Sequence, residues 1–564
     1  MLSTRRRRAL LTVIVATGAA LRFWSVRFGL PHDLTRPDEE KIVTAALGIL
    51  GGDLNPHFFL YPSLFIYVTA GAYELASLLR HVAGTTALAA GLVTPNAVDN
   101  SSLHLTARVV SAITGVATIG ALYAAARELF NDRVALIGAA LLAVTFLHVR
   151  DSHFGVTDVP VTLLVVLAFW AAARCVTRGV TLRRVALAGV LCGLAASTKY
   201  NAGLVVVPAV AAIAARIDWR ERLSATRAAS AIAVLCAAMG LGFMIGTPFA
   251  VLDRSAFMSD VDAQRQTALG RRHGTVLDPA REVMDEPGWL HHLRVSLRYG
   301  AGLPLLGLAL AGGCWLLAAR RRDAIVVLAF PVLYFVAMGG DQLAYARYMV
   351  PLVPFLCLAA GVLTDRAAEL ARAVSRYRFA PVLTTIAILC VAGAPTLAQS
   401  IAFDRLMARP DTRLSGATWI EAEFPEGATV YQTGMVYGQL QPRPAERYPE
   451  CRFDDRLGRF TGPCRVPSAP PDVVVVLDSP LTIFNRTPSR LPEALQADYD
   501  LAVSFTGIDS EAGRRAIYDQ QDAFYAPLDG FAGIARPGPG VRIFLRRVPA
   551  VRLTSTTLCG LNRC

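Results

Sequence analysis

The fold is decided by the first long apolar run, residues 9–28, which reads ALLTVIVATGAALRFWSVRF and is followed by the charged stretch Pro37-Asp38-Glu39-Glu40-Lys41. An apolar run of about 20 residues is long enough to cross a bilayer. Three carboxylates and a lysine at the mouth of a membrane span are costly to desolvate, so we interpret them first as functional groups.

A cleaved signal peptide is the alternative interpretation of residues 9–28. Cleavage there would leave Asp38 at an unanchored terminus, and no clean A-x-A site precedes Trp24. A retained first helix is therefore favoured. Arg5 to Arg8 in front of it predict a cytoplasmic N-terminus under the positive-inside rule, which places the Asp38 loop outside.

The composition indicates a polytopic protein of the cell membrane. The chain is 54% hydrophobic and 18% charged, with a mean hydropathy of +0.43, which is too apolar for a soluble protein of 564 residues. A net charge of +13 could indicate nucleic-acid binding. The arginines, however, form short runs between apolar segments, as cytoplasmic loops do, so no nucleic-acid partner is expected.

Further apolar segments follow up to residue 398, and the charge rule decides how many of them cross. If every segment crosses, three successive arginine-rich loops lie outside, against the rule. If the aromatic-rich segment 58–79 lies in the interface as a juxtamembrane helix, these loops become cytoplasmic. The sequence then predicts about eleven spans in a helical membrane domain, residues 1–398.

Residues 399–564 have a different pattern, with short β-rich runs and helical pieces between Pro, Gly and Asp turns. This predicts a small α/β domain, which the span count places outside the cell. Four cysteines lie in this region, and an exported domain favours disulfides. The nearest pairs are Cys451 with Cys464 and Cys559 with Cys564.

Polar residues from separate parts of the chain converge on the predicted external face, where a cleft could form. They are Asp38-Glu39, the run His148 to His153 with Asp151, Asp158, Lys199-Tyr200-Asn201, the loop from Thr247 to Arg298, and Asp341 to Arg347 with Tyr345.

Each of these groups has a simpler interpretation. Asp38 and Asp158 both precede helix-like runs and could be N-caps. His148 and His153 could ligate a metal ion, but histidines at a membrane interface are more often amphipathic anchors. Arg347 is a candidate anion clamp that could equally be snorkelling to the interface.

The two lysines of the chain, Lys41 and Lys199, stand against 54 arginines, and both are predicted to lie near the external acids. Lysine could be kept where a compact charge binds a phosphate oxygen, or the placement could be chance. A lipid phosphate held by Arg347 and Lys199 would be a stable leaving group, while a carboxylate takes the proton from an incoming hydroxyl.

Taken together, these motifs resemble those of a known group, the GT-C glycosyltransferases that use polyprenyl-phosphate sugars. The resemblance is nearest to the bacterial branch of the protein O-mannosyltransferases and to the lipid A aminoarabinose transferases. The motifs are Pro37-Asp38-Glu39, Tyr61-Pro62-Ser63-Leu64, Arg108 with Gly115 and Tyr123, His153-Phe154 with Asp158, Thr198 to Asn201, Thr247-Pro248-Phe249, and Arg347-Tyr348 with Pro351 and Pro354. Ser63 departs from the pattern, because many relatives carry a second proline there.

The resemblance implies an inverting, single-displacement transfer of a sugar from a polyprenyl-phosphate donor to an extracytoplasmic hydroxyl. Asp38 or Glu39 would be the base or a metal ligand, and Asp158 would support it. Lys199 and Arg347, with Tyr200 and Tyr345, would bind the donor phosphate. Supporting roles fall to Lys41, Asp151, His153 and Tyr61, and a divalent metal at Glu39 and His153 stays open.

Two other classes of protein compete with this interpretation. A membrane transporter or lipid flippase usually carries ionisable residues near mid-membrane in paired repeats, whereas here the charges lie at the ends of the spans. A non-catalytic anchor for the C-terminal domain has little use for so many spans. The sugar, the acceptor and the oligomeric state are not indicated by the sequence.

Overall fold

The computed structural model describes residues 3–83, 100–215, 222–268, 286–319, 322–341, 343–462 and 470–547. The part before Met407 is built from helices. They are α1 Thr4–Phe23, α2 Glu39–Leu50, α3 Leu64–Ala83, α4 Asn100–Leu129, α5 Asp132–Val144, α6 Phe146–Asp151, α7 Asp158–Arg178, α8 Leu182–Ala196, α9 Val206–Ala214, α10 Arg222–Gly246, α11 Phe249–Leu252, α12 Arg254–Ala268, α13 Gly288–His291, α14 Arg298–Ala301, α15 Leu303–Ala318, α16 Arg322–Gly339, α17 Val353–Val374 and α18 Ala380–Met407. Short 3₁₀ turns, Tyr200–Val205 and Ala346–Leu352, precede α9 and α17, and a π-helical turn, His292–Leu297, joins α13 to α14.

Five helices among the described residues are long and apolar enough to cross a membrane. They are Ser101–Leu129, Asp158–Arg178, Ser224–Gly246, Ala346–Val374 and Ala380–Glu423. A sixth span results if Gly288–Ala301 and Leu303–Ala318, which are bent by 110°, count as one. The polytopic helical fold is therefore confirmed. The count of eleven stays a prediction, since helices such as α5 with 13 residues and α8 with 15 are shorter than a bilayer requires.

Helices α8 and α10 pack closely because glycines lie at their contact. A side chain at Gly189 or Gly193 would meet the backbone carbonyls of Leu235 or Met239, and one at Gly242 would meet the backbone of Val190. Glycines four residues apart let helix backbones approach within a membrane, where dispersion rather than the hydrophobic effect drives association. Helix α8 ends shortly before Lys199, and α10 ends immediately before Thr247. Both residues belong to the motifs singled out in the sequence.

The C-terminal α/β unit begins with α19 Thr412–Glu423 and contains a mixed four-stranded sheet. Its strands and helices are β1 Val430–Gln432, the hairpin β2 Arg452–Asp454 and β3 Arg459–Thr461, β4 Val473–Asp478, α20 Leu491–Asp498, β5 Tyr499–Phe505, α21 Glu511–Arg514 and β6 Gly540–Arg546. The strand order is β1-β4-β6-β5, with β1 parallel to β4 and β6 antiparallel to both of its neighbours. Ala417 and Ile420 of α19 pack on the apolar face of this sheet. An α/β unit was expected here.

The sequence-based boundary at residue 398/399 falls inside α18, which continues to Met407. The change of architecture comes only after that helix, because apolar residues extend to Leu406 and Met407, both buried. Cys451 is disulfide-bonded. Cys464, Cys559 and Cys564 lie outside the described residues, so the two expected pairings stay predictions.

Replacing Gly193 with alanine should destabilise the protein, because the new methyl group meets the carbonyl of Met239 and overpacking of this kind typically costs about 1–3 kcal/mol. Gly240→Ala on α10 is the matched control. Among the described residues nothing lies within 4 Å of a side chain added there, and alanine is the better helix former. Apparent unfolding temperatures in detergent should fall for Gly193→Ala and hold or rise for Gly240→Ala. Equal values would contradict close packing of α8 and α10.

Candidate active site

Asp38 occupies the N-cap position of α2, but it does not cap the helix. Its side chain accepts no hydrogen bond from the backbone N–H groups of the first turn, and its backbone is left-handed, with φ +73°. Such a conformation costs an aspartate about 1 kcal/mol or more and persists only where the surroundings fix it. The capping interpretation of Asp38 is therefore wrong, and its carboxylate is free to turn toward other partners.

The carboxylate of Asp38 is held by cations from two directions. Oδ1 accepts a hydrogen bond from Lys41 Nζ at 2.8 Å, and Oδ2 accepts one from Arg347 Nη2 at 2.8 Å. Tyr61 Oη donates to the same Oδ2 at 3.2 Å. Burial alone would raise the pKa of Asp38, but Arg347, Lys41 and Arg36 outweigh it and hold the pKa well below its ordinary value. Asp38 is thus an ionised carboxylate in a cationic setting.

Asp158 and Lys199 form a second buried ion pair, with Lys199 Nζ 2.6 Å from Asp158 Oδ1. Asp158 is the first residue of α7, whose N-cap is Thr157, so capping does not explain it. Lys199 Nζ also lies 4.5 Å from the centre of the Tyr348 ring. Both predicted lysines therefore pair with predicted acids.

Tyr61 contacts the first ion pair through Asp38, while the cation of the second lies over the ring of Tyr348, the residue after Arg347. Burial raises the pKa of the Tyr61 hydroxyl well above its ordinary value, and the charge of Asp38 adds to the shift. The structure brings together six of the residues singled out in the sequence: Asp38, Lys41, Tyr61, Asp158, Lys199 and Arg347.

Two predicted phosphate-binding tyrosines lie differently. The guanidinium carbon of Arg347 lies 4.5 Å from the centre of the Tyr345 ring, so Tyr345 supports that arginine through a cation–π contact. Tyr200 instead donates its hydroxyl to the carbonyl of Phe59 at 2.8 Å. Tyr200 is therefore engaged with the backbone of the loop before α3, because its 3₁₀ turn directs the ring there.

Glu39 is turned away from Asp38 and has the role of an anchor. Arg108 donates to both of its oxygens, with Nη2 2.7 Å from Oε2 and Nε 2.9 Å from Oε1, and the amide of Gly155 donates to Oε1 at 2.7 Å. The side chains of Glu39 and Arg108 are fully buried. Both oxygens of Glu39 already accept hydrogen bonds from buried donors, so this carboxylate is poorly placed to take a proton from a substrate.

Glu39 and His153, the two candidate metal ligands, do not fit a metal ion. Both ring nitrogens of His153 lie within hydrogen-bond distance of backbone carbonyls, Nδ1 2.9 Å from Val149 O and Nε2 2.7 Å from Trp24 O. Glu39 is saturated by Arg108 and Gly155. No cluster of three or more His, Cys, Asp or Glu side chains suited to a metal occurs among the described residues.

Asp151, another predicted supporting residue, pairs with its neighbour. Arg150 Nη1 lies 3.0 Å from Asp151 Oδ2, and both side chains are buried. The guanidinium of Arg150 lies 5.2 Å from the ring centres of Phe154 and Phe524. Asp151 thus belongs to a neutral pair next to the site.

Sequence reasoning missed the contribution of the C-terminal unit. Arg36 Nη1 lies 2.8 Å from Asp522 Oδ1, and Asp522 Oδ2 lies 3.8 Å from Arg347 Nη1. Asp519 Oδ2 accepts from the amide of Ala346 at 2.8 Å. In the sequence these acids stand in a short polar run, Tyr518 to Phe524, whose only signal is its flanking aromatics. Such a run is typical of a surface turn.

A comparison with protein-family models gives one match. The sequence model of the dolichyl-phosphate-mannose-protein mannosyltransferase family matches residues 97–245. This range contains Arg108, Asp158 and Lys199. No curated protein sequence matches the chain.

Several solved structures are similar in fold to most or all of this chain. ArnT from Cupriavidus metallidurans, bound to undecaprenyl phosphate, aligns at a TM-score of 0.51 and 15% identity over 96% of this chain and 98% of its own. The oligosaccharyltransferase of Archaeoglobus fulgidus, tethered with an acceptor peptide containing the NVT sequon, aligns at 0.52 and 16% identity over 79% of this chain and 60% of its own. AglB from Archaeoglobus fulgidus, with an inhibitory peptide and a dolichol-phosphate, aligns at 0.50 and 15% identity over 78% of this chain and 60% of its own. This chain therefore spans about three fifths of the archaeal enzyme. At these identities the similarity shows a shared fold.

Glu39→Gln should destabilise the protein. The change leaves the buried Arg108 without its counter-ion, and breaking such a pair from one side typically costs about 3–5 kcal/mol. The control is Glu128→Gln on the same helix as Arg108, since Glu128 pairs with the half-exposed Arg178 and should contribute about 1 kcal/mol or less. Thermal unfolding in detergent measures both. A wild-type unfolding temperature for Glu39→Gln would rule out the anchoring role.

Proposed function

We propose that the chain is an integral membrane glycosyltransferase of the GT-C superfamily, which its fold and the family model over residues 97–245 support. It transfers a sugar, a hexose or a pentose, from a polyprenyl-phosphate donor to an acceptor hydroxyl outside the cell, with inversion at the sugar carbon. The acceptor is a glycolipid, a cell-envelope glycan or a protein.

The observation that carries the proposal is the ion pair between Asp38 and Arg347, with Lys199 Nζ 4.5 Å from the ring centre of Tyr348, the residue after Arg347. A carboxylate that can take a proton and cations that can hold a phosphate therefore lie close together. Transfer from a lipid phosphate needs these two functions close together. Of the solved structures, ArnT is bound to undecaprenyl phosphate and AglB to a dolichol-phosphate, which supports a lipid phosphate as the donor class.

In the proposed reaction the donor phosphate binds to Arg347 and Lys199. The acceptor oxygen forms a bond to the anomeric carbon as the bond from that carbon to the phosphate oxygen breaks. The proton of the acceptor passes to Asp38, and the polyprenyl phosphate leaves with the electron pair. The added negative charge on the phosphate is stabilised by the two cations.

Donor binding would also activate the base. While Arg347 and Lys41 hold Asp38, its depressed pKa makes it a weak proton acceptor. A phosphate that draws Arg347 toward itself removes one of the cations that lower this pKa. Asp38 then becomes more basic only when the donor is present, which limits exposure of the reactive state to water.

We assign no step to a metal ion. The donor set around Asp38 contains Lys41, Arg347 and Tyr61, and cationic side chains are unsuited to a second positive charge. A structure of the archaeal oligosaccharyltransferase holds zinc and sulfate.

The proposed location is the cell membrane, with the N-terminus in the cytoplasm and both the cluster and the C-terminal unit, from Thr412 onward, outside. The arginine-rich loops between the spans support this orientation. The partners are then the lipid donor, the external acceptor and the bilayer itself.

Asp38→Asn should abolish sugar transfer while leaving donor binding intact. The amide keeps the volume and can still accept a hydrogen bond from Arg347, but it cannot take a proton, so a loss of about 10²–10⁴-fold in kcat is expected. Purified protein is supplied with a radiolabelled polyprenyl-phosphate sugar, and transfer or donor hydrolysis is measured. The control is Asp53→Asn, because Asp53 lies exposed in the loop after α2.

Full activity of Asp38→Asn would remove the proposed base. If the wild-type protein neither transfers nor hydrolyses the sugar, but moves the labelled lipid across a vesicle membrane, this result supports a transporter instead of a glycosyltransferase.

A further inference from the structure

A segment of the C-terminal unit, residues 518–525, is buried against the membrane part of the chain. Phe524 packs edge to face on Phe28 and Phe154, with ring centres 5.9 and 4.9 Å apart. Asp519 and Asp522 are 3% and 2% exposed. Burying two acids requires ionic or hydrogen-bonding partners, and the membrane part supplies them.

Asp522 is shared between two arginines. Its Oδ1 accepts from Arg36 Nη1 at 2.8 Å, and its Oδ2 faces Arg347 Nη1 at 3.8 Å, which is too long for a hydrogen bond. Arg347 Nη1 and Asp522 Oδ2 are both buried and make no hydrogen bond with any described residue. The nitrogen of Arg347 that Asp38 does not use is therefore available to an anion, but it faces a carboxylate.

The direct ion pairs of this cluster join three cations, Arg36, Lys41 and Arg347, to two carboxylates, Asp38 and Asp522. The adjacent pairs Arg150–Asp151 and Lys199–Asp158 are each neutral. Asp519 lies nearby and accepts a hydrogen bond from the backbone amide of Ala346. Burial, together with repulsion from Asp522, raises the pKa of Asp519. Arg36 is thus already neutralised by a carboxylate of the chain itself.

Resting on the proposed function, we infer that Asp522 makes the site selective for a polyprenyl donor with one phosphate. The carboxylate stands between the two arginines that a second phosphate would have to use, and its charge repels that group. A polyprenyl phosphate needs only the free nitrogen of Arg347 and Lys199. A polyprenyl diphosphate would need Arg36 as well. Nε and Nη2 of Arg36 make no hydrogen bond with any described residue, but its positive charge is already balanced by Asp522.

The test compares the affinity of the full-length protein for undecaprenyl phosphate and for undecaprenyl diphosphate, by native mass spectrometry in detergent. The wild-type protein should bind the monophosphate more tightly. Asp522→Asn should shift the ratio of the two dissociation constants toward the diphosphate by about tenfold or more, because one nearby negative charge is removed. Asp522→Glu keeps the charge and should keep the wild-type preference.

Asp365→Asn is the matched control. Asp365 is as buried as Asp522 and pairs with Arg133, but it lies about three turns into α17, away from Arg347. It should leave the ratio unchanged. A merely structural role of Asp522 would weaken both lipids together, so an unchanged ratio in Asp522→Asn overturns the inference.

Two further variants cover the case in which Asp522→Asn does not fold. Arg36→Gln removes a cation and should weaken diphosphate binding more than monophosphate binding. The double variant Arg36→Gln with Asp522→Asn removes the pair as a neutral unit and should return to the wild-type ratio. If either variant does not show this result, the proposed role of the Asp522 charge is wrong.

Wild-type protein that binds neither lipid would overturn the proposed function, whereas monophosphate binding with an unaltered ratio overturns only the role of Asp522.

Discussion

The buried ion pair between Arg108 and Glu39 is the constraint on which the geometry of the site depends. Arg108 also donates to the carbonyls of Val26 and Phe28 and to the hydroxyl of Thr35, and its guanidinium lies 4.0 Å from the centre of the Phe28 ring. One side chain on α4 therefore holds the loop between α1 and α2 at three of its residues. Burying two charges is costly, but every oxygen of Glu39 is satisfied, so the pair is stable once formed. With the loop fixed, the left-handed backbone of Asp38 is maintained and its carboxylate meets Arg347.

Adjacent residues in this loop have opposite roles. Asp38 faces the cationic cluster, while Glu39 points into the protein toward Arg108. The sequence predicted that the acids of this stretch matter, yet it offered Asp38 and Glu39 as interchangeable bases. Only the backbone conformation separates them, because successive side chains at the start of a helix point about 100° apart. A charged motif therefore predicts a site more readily than it predicts which acid does the chemistry.

Much of the membrane part could be predicted because the physics that shapes it is local. Apolar run length and arginine placement indicated a polytopic helical chain, and the order of short motifs indicated the GT-C fold. The same rules brought Asp158, Lys199 and Arg347 to the face of Asp38. The exact number of spans did not follow, since helices such as α5 and α8 are too short to satisfy a length criterion.

The contribution of the C-terminal unit could not be predicted. Arg36 and Asp522 are 486 residues apart in the chain. Arg36 directly precedes the charged stretch at Pro37, but Asp522 lies in a run that is typical of a surface turn. Long-range contacts of this kind depend on how two units pack, which periodicity and composition do not encode. Glu40 and Tyr437, 397 residues apart and joined by a hydrogen bond of 2.8 Å, are a second example. The candidate site is thus completed by a unit for which the sequence predicted an external α/β domain and no site residue.

We propose that the cationic cluster around Asp38 receives the phosphate of a lipid donor. An experimental structure of the full chain with undecaprenyl phosphate would show whether it does. We expect a phosphate oxygen within hydrogen-bond distance of Arg347 Nη1 and Lys199 Nζ, with Asp38 less tightly held by Arg347 than at the present 2.8 Å. A phosphate bound elsewhere, with the Asp38–Arg347 and Asp158–Lys199 pairs unchanged, would contradict it.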